Sequence, residues 1–386
     1  MTTVKAEPLD VLRKRTSEKW VAYPPSVLPL FVAEMDYPLA PVVAEAIIER
    51  VRASDTGYVS APGPIAPAFS GFASRLWNWD VDPSGIRTTT DVSVAIVESL
   101  RMVISPGDGV IITPPVYPPF FELVHEAGGI VVEVPLRAAG TAHSDWHLDL
   151  DGIDAAFAAG ARALVVCNPH NPLGMVHSKQ SLAALAELAE RHGAVVISDE
   201  IHAPLVQDST RFTPYLTASP TACEHGIAIT SASKAFNLAG TKCAIMIAAS
   251  ARTLDLLDAM PEEVGVRTSL LGLHASVAAF EHGDEWLAGV RSAIAESSDL
   301  LSGVLAERLP EVAFRPPAAS YLAWLDFRGL SWGDDPAAVA LEAGVALNSG
   351  LTFGREGAGF ARLNLACSAE VLTEAVSRLE NAAGRG

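Results

Sequence analysis

Basic residues are scarce in this chain. Lysine and arginine number 27 against 45 aspartates and glutamates, a net charge of −18. A balance so acidic excludes a general nucleic-acid or anionic-membrane surface, because both need a cationic face. It leaves room for a local basic pocket that holds a phosphate or a carboxylate. Cysteine is scarce too. Cys167, Cys223, Cys243 and Cys367 are scattered and make no C-x-x-C pair. That removes a disulfide or zinc framework and points to a reducing, cytoplasmic compartment. Long apolar runs are missing: Ala244-Ile245-Met246-Ile247-Ala248-Ala249 falls far short of the roughly 20 residues a membrane span needs. The opening stretch, Met1 to Glu7, has no apolar signal core. Neither an internal repeat nor a low-complexity linker interrupts the chain.

What is present is apolar mass. Hydrophobic residues make up 49% of 386 positions, enough for a large core in two or three domains. The first 41 residues or so are Pro-rich and irregular, yet they carry Trp20, Leu30, Phe31 and Met35. They read as an arm that packs on the body of the protein. From about residue 91 to 250, strands and helices alternate, with strands predicted at 110–112, 131–134, 164–166, 195–197, 227–230 and 244–248. One intervening helix is plain: Ser178 can cap it, Leu182, Leu185 and Leu188 share a face, and Gly193 can end it. Continuous Val/Ile runs separated by helices indicate a buried, mostly parallel sheet. From about residue 275 the pattern changes to a long helical stretch plus strands such as Tyr321-Leu322-Ala323-Trp324-Leu325, which reads as a smaller α+β unit.

Three strand ends carry chemistry. Ala163-Leu164-Val165-Val166 leads into Cys167-Asn168-Pro169-His170-Asn171-Pro172-Leu173-Gly174. Ala194-Val195-Val196-Ile197 leads into Ser198-Asp199-Glu200-Ile201-His202. Ile227-Ala228-Ile229-Thr230 leads into Ser231-Ala232-Ser233-Lys234-Ala235-Phe236. Ligands of parallel α/β sheets sit outside the carboxyl ends of the strands. A lysine for a Schiff base, an acid for a pyridine nitrogen and a donor for a ring oxygen are the set that pyridoxal 5'-phosphate (PLP) requires.

The combination resembles fold-type I PLP enzymes and, within them, the MalY/PatB carbon–sulfur lyases, or cystathionine β-lyases. The matching segments span nearly the whole chain: Lys19-Trp20, Phe31-Val32-Ala33-Glu34-Met35-Asp36, Gly57-Tyr58, Pro115 to Phe120, Cys167 to Gly174, Ser198 to Ala203, Ser231 to Gly240, Ser320 to Asp326 and Phe360 to Asn364. The resemblance implies an aminotransferase-like α/β fold: an N-terminal arm (1–45) packing with the small domain, a large PLP-binding domain (46–275) and a small C-terminal domain (276–386). It implies that Lys234 bonds covalently to PLP and, once freed, removes the substrate Cα proton. Asp199 pairs with the pyridine nitrogen, Asn171 bonds the ring oxygen and borders the substrate, and Tyr117 stacks on the ring. His202 lies beside the cofactor. Ser231, Ser233, Lys242 and the backbone N–H groups of Val92 and Ser93 hold the phosphate. Arg362 clamps the substrate carboxylate, and Tyr58 reaches the site of a second subunit as part of its catalytic set, which implies a homodimer. Asn168 shapes the loop.

Two positions depart from the wider fold type. His202 stands where many aminotransferases carry tyrosine, and the carbon–sulfur lyases share the histidine. Thr90-Asp91-Val92-Ser93-Val94 replaces a Gly/Pro-rich phosphate turn, so Asp91 is expected to point away from the phosphate. The implied activity is β-elimination from a cysteine S-conjugate such as cystathionine, giving thiol, pyruvate and ammonia. An aminotransferase on the same scaffold stays open, as does an enzyme that also binds a regulatory protein. Two other patterns carry less. His143 and His147 have the i,i+4 spacing of a metal pair, but nearby Gly and Pro argue against a helix. Gly354, Gly357 and Gly359 imitate a dinucleotide fingerprint without the βα unit it needs, and read as a turn before the Arg362 strand.

Overall fold

The computed structural model describes residues 4–60, 62–139 and 145–384. His143 lies outside the described residues. Seven strands form the main sheet: β1 (Ile86–Thr89), β2 (Gly109–Ile112), β3 (Ile130–Glu133), β4 (Ala163–Cys167), β5 (Val195–Asp199), β6 (Ile227–Thr230) and β7 (Ala244–Ala248). Their spatial order is β1-β7-β6-β5-β4-β2-β3. Only β7 runs antiparallel to its neighbours; the other pairs are parallel.

Every residue of β4, β5, β6 and β7 is buried, because helices cover both faces. Alternate residues enter opposite layers: Val165, Ile197 and Ile229 pack on one side, Leu164, Val196 and Ala228 on the other. The six expected strands are all present, with ends within two residues. The edge strand β1 was not expected, since Ile86-Arg87-Thr88-Thr89 is short and mostly polar. Helix Lys179–Arg191 begins as its sequence suggests, with the Ser178 hydroxyl accepting the Ser181 N–H at 3.1 Å. Gly193 follows it at φ +63°, a conformation that suits glycine.

A second, antiparallel sheet of four short strands carries Leu322–Asp326 and Phe360–Asn364 at its centre. Helix Ala369–Ala383 packs its Leu372, Val376 and Leu379 against this sheet. Gly354 and Gly357 form turns before Phe360–Asn364, as expected. A Cβ on Gly357 would lie 1.9 Å from the Gly350 carbonyl oxygen, so only glycine fits.

The arm joins both cores: Leu28–Pro29 pairs in parallel with Val345–Ala346, while Val4, Met35 and Tyr37 pack under the main sheet. The position 45/46 falls inside helix Pro41–Arg52, and 275/276 inside helix Leu270–His282, which packs on helices Pro41–Arg52 and Ile65–Trp77. The passage between cores occurs within the 25-residue helix Asp284–Arg308. Its Trp286, Leu287, Val290 and Ile294 join the large core, and its Leu301 and Leu305 the small one. A continuous helix carries no composition break at such a point, so the sequence pattern does not mark it.

Candidate active site

The carboxyl ends of β1, β4, β5 and β6 open on one cavity of about 620 Å³. β5 ends on Asp199 itself, and the neighbouring β4 feeds the loop that bears Asn171. β6 runs into a short helix, Ala232–Ala235, that carries Lys234. Across the cavity, Phe360–Asn364 contributes Arg362. The arm segment 31–34 closes another wall. Every residue expected to meet cofactor or substrate within one chain lines this space: Val92, Ser93, Tyr117, Asn171, Asp199, His202, Ser231, Ser233, Lys234, Lys242 and Arg362. Tyr58 does not. Its side chain is 95% exposed, beside a separate cleft formed with Val266 to Leu271.

Lys234 donates to the Ala33 carbonyl at 3.0 Å. Enclosure by protein, then the Arg362 charge, push its amine down to about 8 from an ordinary 10.5. Asp199 is buried and accepts the Ile201 N–H at 3.1 Å. Burial pushes its carboxyl up to about 6, against the pull of that N–H and of Lys234. No ion-pair partner reaches it among the described residues. A buried carboxylate of this kind suits a cation placed opposite it, such as a protonated ring nitrogen.

Arg362 is 4% exposed. Its guanidinium donates to Asn171 Oδ1 at 3.0 Å and to the Phe31 carbonyl at 2.9 Å, and lies 5.1 Å from the Phe353 ring centre. Its Nε is buried with no acceptor among the described residues. Burial pushes Arg362 down to about 10, which leaves it charged at neutral pH. Both terminal nitrogens are thus braced, each with a second N–H to give.

His202 is buried, and burial with the Lys234 and Arg362 charges pushes it down to about 3, so it is neutral. Its ring meets Tyr321 edge-on at 6.1 Å. Tyr117 is pushed up to about 12, by burial and then by Asp199, and keeps its proton. Asn168 shapes its loop as expected: it donates to Thr213 O and accepts from the His177 N–H, both at 3.2 Å.

At the phosphate end, helix Val92–Val103 begins at the cavity. Its first N–H groups and the Lys242 ammonium make a cradle for an anion. Two details correct the sequence reading. Asp91 does not point away. One of its oxygens caps the helix by accepting the Val94 N–H at 3.0 Å, and the other pairs with Lys242 at 3.1 Å. Capping is a local demand that outweighs distant repulsion, and the second oxygen then draws the nearest cation. Ser231 spends its hydroxyl on the backbone, donating to Cys243 O at 2.6 Å and accepting the Ser233 N–H at 3.0 Å. It caps the Lys234 helix, and Ser233 is left as the freer hydroxyl.

The arm is the part that sequence motifs leave without a role. Consecutive carbonyls of 31–35 are held by side chains of the site and its surroundings. Arg362 takes Phe31 O, and Asn364 takes Val32 O and Glu34 O at 2.7 and 2.6 Å. Lys234 and Tyr321 share Ala33 O, and Asn237 takes Met35 O. Behind them Lys19 and Asp36 form a fully buried ion pair at 2.6 Å. Lys19, Tyr321 and Asn364 all fall in the matching segments, which was the available signal. Taken together, the donor set, the buried acid and the anion cradle fit PLP.

The family model for class I and II aminotransferases matches residues 25–379. The chain belongs to that family, and its architecture is the fold-type I arrangement anticipated from the motifs. A cystathionine beta-lyase of Corynebacterium glutamicum is 34% identical over 375 residues, covering 96% of this chain and 98% of the relative. The cystathionine beta-lyase PatB of Bacillus subtilis is 30% identical over 359 residues, 92% of each chain. Among solved structures, cystalysin from Treponema denticola, which contains pyridoxal 5'-phosphate, matches with a TM-score of 0.89. It shares 26% identity and is covered over 97% of both chains.

Proposed function

We propose that this protein is a PLP-dependent carbon–sulfur lyase that cleaves a cysteine S-conjugate such as cystathionine by β-elimination. The observation that carries the proposal is the meeting of Lys234, Asp199 and Arg362 in one cavity, with neutral His202 beside them. The relatives' names favour elimination over amino transfer. PLP, when bound, supplies an electron sink for the substrate Cα; Lys234 would hold it covalently, Asp199 would face its ring nitrogen, and Val92, Ser93, Ser233 and Lys242 would hold its phosphate.

The chain's own groups account for the rest. Arg362 binds the α-carboxylate through a fork that Asn171 and Phe31 hold in plane. That fixes which Cα substituent faces Lys234. An amine at about 8 is roughly half neutral near pH 8, whereas an ordinary lysine is well under 1% neutral there, so Lys234 can take the Cα proton. As the C–H electron pair is released, the Cβ–S bond breaks and the sulfur leaves with its electrons. The remaining three-carbon enamine hydrolyses to pyruvate and ammonia.

The reading places the protein in the cytoplasm, in keeping with its scattered cysteines. It also makes it a homodimer in which exposed Tyr58 serves the partner's site. We divide the chain into an arm, a large cofactor domain reaching into helix Asp284–Arg308, and a small C-terminal domain. Product analysis tests the function. Thiol, pyruvate and ammonia should appear without any added keto acid, and Lys234→Ala should abolish them while leaving the fold intact. Turnover that requires a keto acid and yields a new amino acid would establish an aminotransferase instead.

A further inference from the structure

The charge inventory of the cavity leaves a remainder. Its three cations are accounted for: Lys234 as the base, Arg362 at the carboxylate, and Lys242 at the phosphate end in an ion pair with Asp91. Asp199 would face the ring nitrogen in the reading above. Two further carboxylates line the same space, Glu18 and Glu34. Neither side chain makes a hydrogen bond or ion pair among the described residues. Both belong to the arm. Glu34 is half-buried, and its backbone is fixed because its carbonyl accepts from Asn364 at 2.6 Å and from Lys19 at 3.2 Å. Its carboxylate is near enough to Lys234 to act on the amine electrostatically. Glu18 opens the short helix Glu18–Val21 and is exposed.

Position adds direction to this remainder. The cavity-lining residues that reach the surface are Ala239 and Lys242 at the phosphate end and Glu18 on the arm. The phosphate end is taken in the reading above. For a substrate anchored by its carboxylate at Arg362, the arm wall is the side with an exposed residue that the phosphate does not take, and it carries half-buried Glu34 and exposed Glu18.

We infer that Glu34, seconded by Glu18, selects substrates by the net charge at the far end of the S-substituent, favouring a cation over an anion, with a zwitterionic end such as that of cystathionine ranking between them. This rests on the cavity being an amino-acid site. It does not depend on elimination as the reaction. A half-buried carboxylate attracts a cation and repels an anion across a partly screened gap, and together the two effects should separate them by about tenfold in affinity.

The test uses the PLP-loaded protein and three amino acids of similar length without a sulfur leaving group: lysine, norleucine and 2-aminoadipate. Titration calorimetry gives their dissociation constants. Lysine should bind about tenfold more tightly than 2-aminoadipate, with norleucine between. Glu34→Gln should cut that ratio to about threefold or less, and the double variant with Glu18→Gln should bring it near one. Gln keeps the shape, and an unchanged melting temperature confirms that the fold is kept. Turnover of S-(2-aminoethyl)-, S-ethyl- and S-carboxymethyl-cysteine should rank in the same order. A wild-type protein that binds 2-aminoadipate as tightly as lysine, or a ratio that survives Glu34→Gln, overturns the inference. If no S-conjugate releases thiol while the binding ratio behaves as stated, the elimination reading fails and the charge selection stands. If none of the three amino acids binds, both fall.

Discussion

Replacing Arg362 by lysine separates substrate recognition from cofactor binding. The guanidinium is held at three points: 3.0 Å to Asn171 Oδ1, 2.9 Å to Phe31 O, and 5.1 Å above the Phe353 ring. These contacts fix its plane, and each terminal nitrogen keeps a second N–H for a carboxylate. Lysine would keep the positive charge. It would lose the planar pair of N–H groups and could not serve the carboxylate, Asn171 and Phe31 in that geometry. Losing one charge-assisted bond of a bidentate pair costs about 2–3 kcal/mol, or about 30- to 150-fold in kcat/KM. In the proposed site the cofactor would not contact this side chain, so PLP affinity should change by less than about threefold. Steady-state kinetics on cystathionine, PLP titration by absorbance, and calorimetry with norleucine and pentylamine make the measurement. The last two differ only by the carboxylate, so the substitution should weaken norleucine by the full factor and leave pentylamine nearly unchanged. An equal loss for both amines, or a PLP affinity that falls in step with kcat/KM, would refute the assignment of Arg362 to the carboxylate.

Three further predictions bear on the frame around the site. Lys19→Met leaves Asp36 buried without its partner, and should cost about 3–5 kcal/mol of stability in urea unfolding; a loss under about 1 kcal/mol would show that the pair does not organise the arm. His177 is buried and neutral, its pKa pushed down by burial from 6.5 to about 4. Its unfolded form takes up a proton that the folded form refuses, so its contribution to stability is lost as pH falls from about 6.5 to about 4. Asp199 and Glu200, pushed up by burial, act with the opposite sign, so wild type and His177→Asn should be compared. The variant should take up about one proton fewer on unfolding across that window, and identical slopes would count against a neutral buried His177. Tyr58→Phe protein co-refolded with Lys234→Ala protein should recover activity, because the hybrid's one site with Lys234 receives an intact Tyr58 from the other chain. Failure of demonstrated hybrids to recover, with Tyr58→Phe alone impaired, would show that Tyr58 does not act in the partner's site.

The sheet could be read from the sequence because burial on both faces leaves an unmistakable trace. β4 to β7 have no solvent side, so their sequences are continuous apolar runs, and the residues that follow the parallel strands β4, β5 and β6 stand at the ligand-binding edge. Edge strand β1, with Arg87, Thr88 and Thr89, lacks that trace because it is short and lies beside a single neighbour. Asn171, Asp199 and Lys234 were legible as residue types in a fixed order at strand ends, and Arg362 through the family resemblance. Their mutual support was not. Arg362 and Lys234 are steadied by the carbonyls of Phe31 and Ala33, and every residue type has a carbonyl, so the sequence cannot say which ones turn toward the cavity. Asp91 and Ser231 show the same limit from the other side. Each was weighed by its charge or hydroxyl against a phosphate, whereas the backbone N–H groups of Val94 and Ser233 claimed them first.

The arm therefore has two separable kinds of contact with the site. Its carbonyls brace residues that do chemistry, and this bracing is indifferent to side-chain identity at 31–34. Two of its side chains, Glu18 and Glu34, line the cavity and make no hydrogen bond or ion pair among the described residues. Substitutions within the arm should accordingly divide into two groups. Those that displace its backbone, through Lys19 or Asp36, should disturb every substrate alike. Those that change only the carboxylates should alter the ranking among substrates.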